Sequence, residues 1–147
     1  MTANTSPIFS VTPRVSSVRV SAAQTASDGT GTVGTNMYLA FTPGIDGSYL
    51  QRVRFSLSES TMSTASAAAT LRVSIATTNT GTLTTANCFL YQEINAAAQT
   101  PTTTASSYPI DIPLNFAIQS NQYVMVSTSV APTANTAWVA TVIGGDY

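Results

Sequence analysis

A chain of 147 residues is long enough for one domain with a sizeable core. Charged residues make up only 7% of it and hydrophobic residues 44%, so its polar surface must come from Ser, Thr, Asn and Gln, a mix that suits strands and turns better than exposed helices. A net charge of −1 with no Lys, no His and five Arg excludes the dense basic surface that nucleic acid requires. It also excludes nucleophilic catalysis by a Ser–His or Cys–His pair.

The chain opens with "MTANTSPIFSV", which lacks the basic and long apolar regions of a secretory signal. No apolar run reaches the ~18–20 residues of a membrane span, so the reading is a chain made in the cytoplasm, with no membrane partner. Residues 1–12 read as an extended arm and a first strand, "IFSVT", and residues 13–147 as a single β domain. "RVSSVRV" is the next strand candidate. "ASDGTGTVGT" then places Gly29, Gly31 and Gly34 at the spacing of a dinucleotide fingerprint. That fingerprint needs a helix after the loop, to hold pyrophosphate on its N-terminal N–H groups. Here the loop leads into "NMYLAFTP", a strand stopped at Pro43; no βαβ unit is available, no cofactor is expected, and Asp28-Gly29 reads as a hairpin turn signal.

"YLQRVRFSLS" alternates with period two, placing Tyr49, Gln51, Val53, Phe55 and Leu57 on one face and Leu50, Arg52, Arg54, Ser56 and Ser58 on the other. Ser60 to Thr70 reads as a loop. "TLRVSIAT" turns Leu71, Val73 and Ile75 inward and Arg72 and Ser74 outward, and "CFLYQEI" follows after the turn-rich "TTNTGTLTTAN". Asn95 to Ser107, with Pro101, lacks apolar anchors and reads as a long exposed loop. In "PIDIPLNFAI" the run Ile110, Ile112, Leu114, Phe116 and Ile118 alternates with Asp111, Pro113, Asn115 and Ala117, and Pro109 and Pro113 remove ladder donors. Such a strand belongs at an edge or carries a bulge. "QYVMVSTSV" and "AWVATVIG" complete about nine short strands with regular turns, which predicts an all-β, antiparallel β-sandwich, jelly-roll-like in its order.

Candidate chemistry is sparse. One cysteine, no histidine and six scattered carboxylates exclude a zinc site, and Asp28 and Asp46 read as turn residues rather than calcium ligands. Cys88 opens an apolar strand and reads as a small core residue. Glu93 and Asp111, the acids on predicted strands, read as solvated charges rather than a glycosidase pair. The six tyrosines and Trp138 read as core or subunit anchors before sugar-stacking platforms.

Two stretches, "NTSPIFSVTPRVSSVRVSAAQTASDGTGTVGT" and the closing "AWVATVIGGDY", together with "IDIPLNFAI", "VMVSTSV" and the arginine strand "RVRF", resemble small virion proteins of tailed bacteriophages. The resemblance covers most of the chain and is thinnest from Ser58 to Thr85. It implies a non-enzymatic role, most like that of a capsid cement or decoration protein: a β-sandwich that commonly sits as a homotrimer on the outer shell, with the major capsid protein as partner and the virion as location. No residue-level binding motif comes with it. Contact candidates are therefore drawn from arm, loops and tail: Pro7, Ile8 and Phe9; Asp28, Gly29 and Gly31; Arg52 and Arg54; Pro101; Asp146 and Tyr147. A tail, baseplate or head-fibre module, and a carbohydrate-binding β-sandwich, are the alternatives.

Overall fold

The computed structural model describes residues 12–59, 65–102 and 106–147. The strands are β1 (Thr12–Val20), β2 (Gly31–Thr32), β3 (Tyr38–Phe41), β4 (Ser48–Glu59), β5 (Ala69–Ala76), β6 (Thr82–Leu83), β7 (Cys88–Ala96), β8 (Ile110–Ile118), β9 (Tyr123–Thr128) and β10 (Thr136–Asp146). Eight of them form two antiparallel four-stranded sheets, ordered β1-β10-β4-β8 and β3-β9-β5-β7, and the short β2 and β6 pair separately. The expected all-β sandwich is what the chain forms.

Alternation explains the core. Val53, Phe55, Ile112, Ala140 and Val142 from the first sheet meet Tyr38, Ala40, Leu71, Val73, Val124 and Val126 from the second, with Trp138 buried among them. Ring packing joins the two sheets along one side, where Tyr91 of β7 lies 4.9 Å from Phe116 of β8. On the other side Arg14 of β1 reaches across to β3, donating to the Thr42 carbonyl at 3.0 Å and standing over the Phe41 ring.

Four expectations change in three dimensions. First, β4 carries a bulge against β10, where Leu50 and Arg52 face the consecutive Gly144 and Ile143, and at the same point β8 carries one extra residue against β4. The shift turns Leu50 into the core and leaves Tyr49 and Gln51 exposed, reversing the simple alternation at that end of the strand. Second, Asp28-Gly29 does not make a hairpin, because β1 pairs with β10 rather than with β3. The Asp28 carboxylate instead accepts from Thr30 N and Oγ1, a local turn of 3.0 and 2.6 Å contacts. Third, the outer face of the second sheet is not solvated. Residues 21–37 strap across it, and a second apolar cluster of Met37, Ala76, Leu83, Cys88 and Met125 forms beneath them. Arg72 and Ser74 point outward from the sandwich yet are buried. Gly31, at φ +149, is required in this strap because a Cβ there would overlap Gln24 and Met37.

The fourth concerns the Asn95–Ser107 loop, whose first two residues belong to β7 and which is held rather than free. Gln99 is buried, exchanging hydrogen bonds with Ser66 and with the Tyr108 backbone. The edge and the bulge expected of Pro109 and Pro113 are both found: β8 ends the first sheet, and against β4 it carries the extra residue, since Leu50 and Arg52 face Phe116 and Pro113. The segment expected to loop from Ser60 to Thr70 is described from residue 65; it has no regular structure until Ala69 begins β5.

Candidate interaction surface

The two sheets differ in what covers them. The strap occupies the outer face of the second sheet, held by Arg72, which donates to the Gln24 and Ala26 carbonyls at 2.7 and 3.3 Å and to Glu93 at 3.1 Å. No described element lies over the outer face of the first sheet. Register places its outward positions in rows: Val15, Ile143, Arg52 and Pro113 in one, and Ser17, Thr141, Arg54 and Asp111 in the next. Val15 is 69% exposed.

Within the second row Arg54 grips Asp111 bidentately, Nε to Oδ1 and Nη2 to Oδ2, each at 2.8 Å. These hydrogen bonds hold the Asp111 carboxyl below the usual range against the opposing effect of burial, with the charges of Arg54 and Arg52 adding to the shift. The same pairing raises the pKa of Arg54. An exposed pair of this kind organises the surface more than it stabilises the fold. Arg52, next to it, is different. Gln51, Arg52, Asp111, Pro113 and Asn115 line an open hollow of about 300 Å³, and the Arg52 Nε is buried there with no hydrogen-bond partner.

The remaining contact candidates are scattered. Pro7, Ile8 and Phe9 lie outside the described residues. Asp28 is exposed on the strap, whereas Gly29 is buried and Gly31 half-buried within it. Pro101 is half-buried beyond β7. The "GGDY" tail is part of the fold: Asp146 pairs with Thr12 and Ser48 in the sheet, and Tyr147 N donates to the Gly47 carbonyl at 3.3 Å. The structure thus brings Arg52 and Arg54 together on one open face and leaves the other candidates apart. Alternation already turned Pro113 and Asn115 outward with Asp111, but their meeting with Arg52 depends on the register of β4 with β8, and Gln51 joins them only because the bulge turns it out of the core. The one signal of irregularity there was Pro113, a proline in the middle of a strand.

The acids and aromatics find separate roles. Glu93 and Asp111 sit on different sheets, each against its own arginine. Trp138 and Tyr38 belong to the core, while Tyr49, Tyr91 and Tyr108 are exposed. Cys88 is fully buried, and burial pushes its thiol up to about 11. Among the described residues, no group of three or more His, Cys, Asp or Glu is placed to hold a metal ion. No helix among them is long and apolar enough to cross a membrane.

No protein-family model and no curated protein matches the chain. Among solved structures it is similar to PRD1 vertex protein P5, with a TM-score of 0.40 and 12% identity over 92% of this chain and 98% of that one.

Proposed function

We propose that this chain is a structural protein of a tailed-bacteriophage virion, a non-enzymatic decoration (cement) protein that seats on the outer capsid shell and stabilises it. The observation that carries the reading is the asymmetry of the sandwich. One sheet is covered by the chain's own strap, and over the other, four strands wide, no described element lies. A protein whose work is to lie against a neighbour needs one such rigid, uncommitted surface. The resemblance of "TPRVSSVRV", "DGTGT" and "GGDY" to small virion proteins supports the same role. The strand orders β1-β10-β4-β8 and β3-β9-β5-β7 support reading the sandwich as a jelly roll. The major capsid protein is then the partner. A homotrimer is the assembly, since symmetric copies multiply weak contacts.

Copy number tests this reading. Quantitative mass spectrometry of purified particles should find the chain in numbers on the order of hundreds per head, as repetition over a symmetric shell requires. A count of a few to a few dozen would assign it to a tail, baseplate or vertex instead. Sedimentation of the purified protein should give a trimer's mass.

A further inference from the structure

Arginines in this chain are few and most are spent internally. Arg14 is paired with Asp146, Arg54 with Asp111, and Arg72 with Glu93 and two carbonyls. Among the described residues, Arg52 has no such acceptor. Its neighbours in the row across the sheet are Ile143 and Pro113, and neither side chain can accept a hydrogen bond. Its Nε is buried without a partner, an arrangement that carries a desolvation cost unless something compensates it.

The irregularities of the first sheet gather at this same point. The β4 bulge against β10 sits between Leu50 and Arg52, and the extra residue of β8 against β4 sits between Pro113 and Phe116. Within that stretch of β8, Asn115 adopts φ +54, a left-handed conformation uncommon for a residue other than glycine. Bulges and strained residues of this kind re-aim side chains near binding sites. Charge points the same way. The outward positions carry Arg19, Arg52 and Arg54 against Asp111 alone, three cations to one anion, on a chain whose net charge is −1. Both Asp111 oxygens accept from Arg54, so Asp111 meets Arg52 only as a neighbouring charge, and the hollow sets a guanidinium whose Nε has no acceptor beside two amides.

We infer that the hollow formed by Gln51, Arg52, Asp111, Pro113 and Asn115 is a seat for a carboxylate carried on an acidic side chain of a partner protein, and that it anchors the open face of the first sheet to that partner. The inference rests on the proposed seating of this chain against a protein shell, and it names the chemistry of the contact. Guanidinium and carboxylate match as planar, two-point partners. The flanking Ile143 and Val15 supply apolar surface that excludes water around the pair, where a charged contact gains most.

Two arms test it. In the first, the intact protein labelled with ¹⁵N is titrated with N-acetylglutamate amide, and the Arg52 Nε–H resonance is followed, assigned by its loss in Arg52→Gln. A saturable shift is expected, absent with the neutral N-acetylglutamine amide. Asn115→Gly, which suits the positive φ and so keeps the fold, should weaken saturation several-fold. No shift, an equal shift with chloride, or a shift only with neutral sugars would overturn the seat. In the second arm, wild-type and Arg52→Gln proteins are added to purified shells lacking the chain. Occupancy should fall about tenfold or more in the variant, because truncating one partner of a buried charge pair acts on dissociation. If the wild type coats the shell and the variant coats it equally, the seat is wrong and the decoration reading stands. If the glutamate derivative binds but the wild type coats no shell, the decoration reading falls and the carboxylate seat stands.

Discussion

At Asp146 both carboxylate oxygens accept hydrogen bonds. Oδ2 takes Arg14 Nη1 at 2.8 Å, and Oδ1 takes Ser48 Oγ at 2.5 Å and Gly44 N at 3.1 Å. Three strands and the β3–β4 turn are thereby tied at one end of the sandwich. Burial works to raise the carboxyl's pKa, but the hydrogen bonds from Ser48 and Arg14, the Arg14 charge and the Gly44 N–H together hold it below its ordinary value. Between the folded and unfolded values the unfolded chain binds more protons, so stability rises with pH there. The contribution is complete above the ordinary carboxylate range and is lost as pH falls through the folded value. Asp146→Asn should therefore cost about 1.5 kcal/mol at neutral pH, the lower end for a charged hydrogen bond given the exposure of Arg14. It should also flatten the acid limb of the stability curve. Urea unfolding of both proteins across the acid range measures the two effects, and parallel curves would remove Asp146 from this role.

The β4 strand shows how one inserted residue reassigns several side chains. Upstream of the bulge Leu50 is buried against the core; downstream Val53, Phe55 and Leu57 are. Between them Gln51 and Arg52 both turn away from the core. Leu50→Ala should then cost roughly 2–5 kcal/mol, as core truncations do, while Tyr49→Ala should cost less than about 1 kcal/mol. Strict alternation predicts the reverse order, so a pair of denaturation midpoints decides between the two registers. That bulge and the extra residue of β8 set Arg52 beside Pro113, which is how element-level irregularities produce the hollow.

At the scale of the molecule, the strap covers one sheet, while no described element covers the other. Its hold on the second sheet runs through Arg72, together with Gln24 N donating to the Thr128 carbonyl at 2.7 Å and the Tyr38 hydroxyl accepting from Ala22 N at 2.9 Å. Arg72→Gln should cost roughly 1–3 kcal/mol, since it leaves buried carbonyls without a donor. It should also accelerate amide exchange in residues 22–33 more than in β5 and β9, because local opening precedes global unfolding. Uniform acceleration by hydrogen-exchange mass spectrometry would mean the strap and the sandwich open together. A released strap would uncover Met125 and Cys88, giving the molecule a second sticky face and a tendency to associate.

Much of this molecule was legible in residue order. Period-two alternation in "RVRFSL", "LRVSI" and "IDIPLNFAI" specifies half-buried strands, because side-chain direction follows from backbone pleat alone. The absence of histidine and lysine is a fact of composition, and it limits the chemistry before any folding occurs. Proline chemistry marked β8 as an edge, since a missing donor is a local property. What only the tertiary structure decided was nonlocal. The pairing of β1 with β10, more than a hundred positions apart, turned an apparent hairpin glycine run into a strap. The bulge in β4 exists only as a mismatch against β10, and the one in β8 only as a mismatch against β4. Whether an outward arginine is buried like Arg72, paired like Arg54 or left without an acceptor like Arg52 depends on which distant segments cover it. Sequence prescribes which way each side chain leaves its strand, and only the assembled sheets determine what it meets.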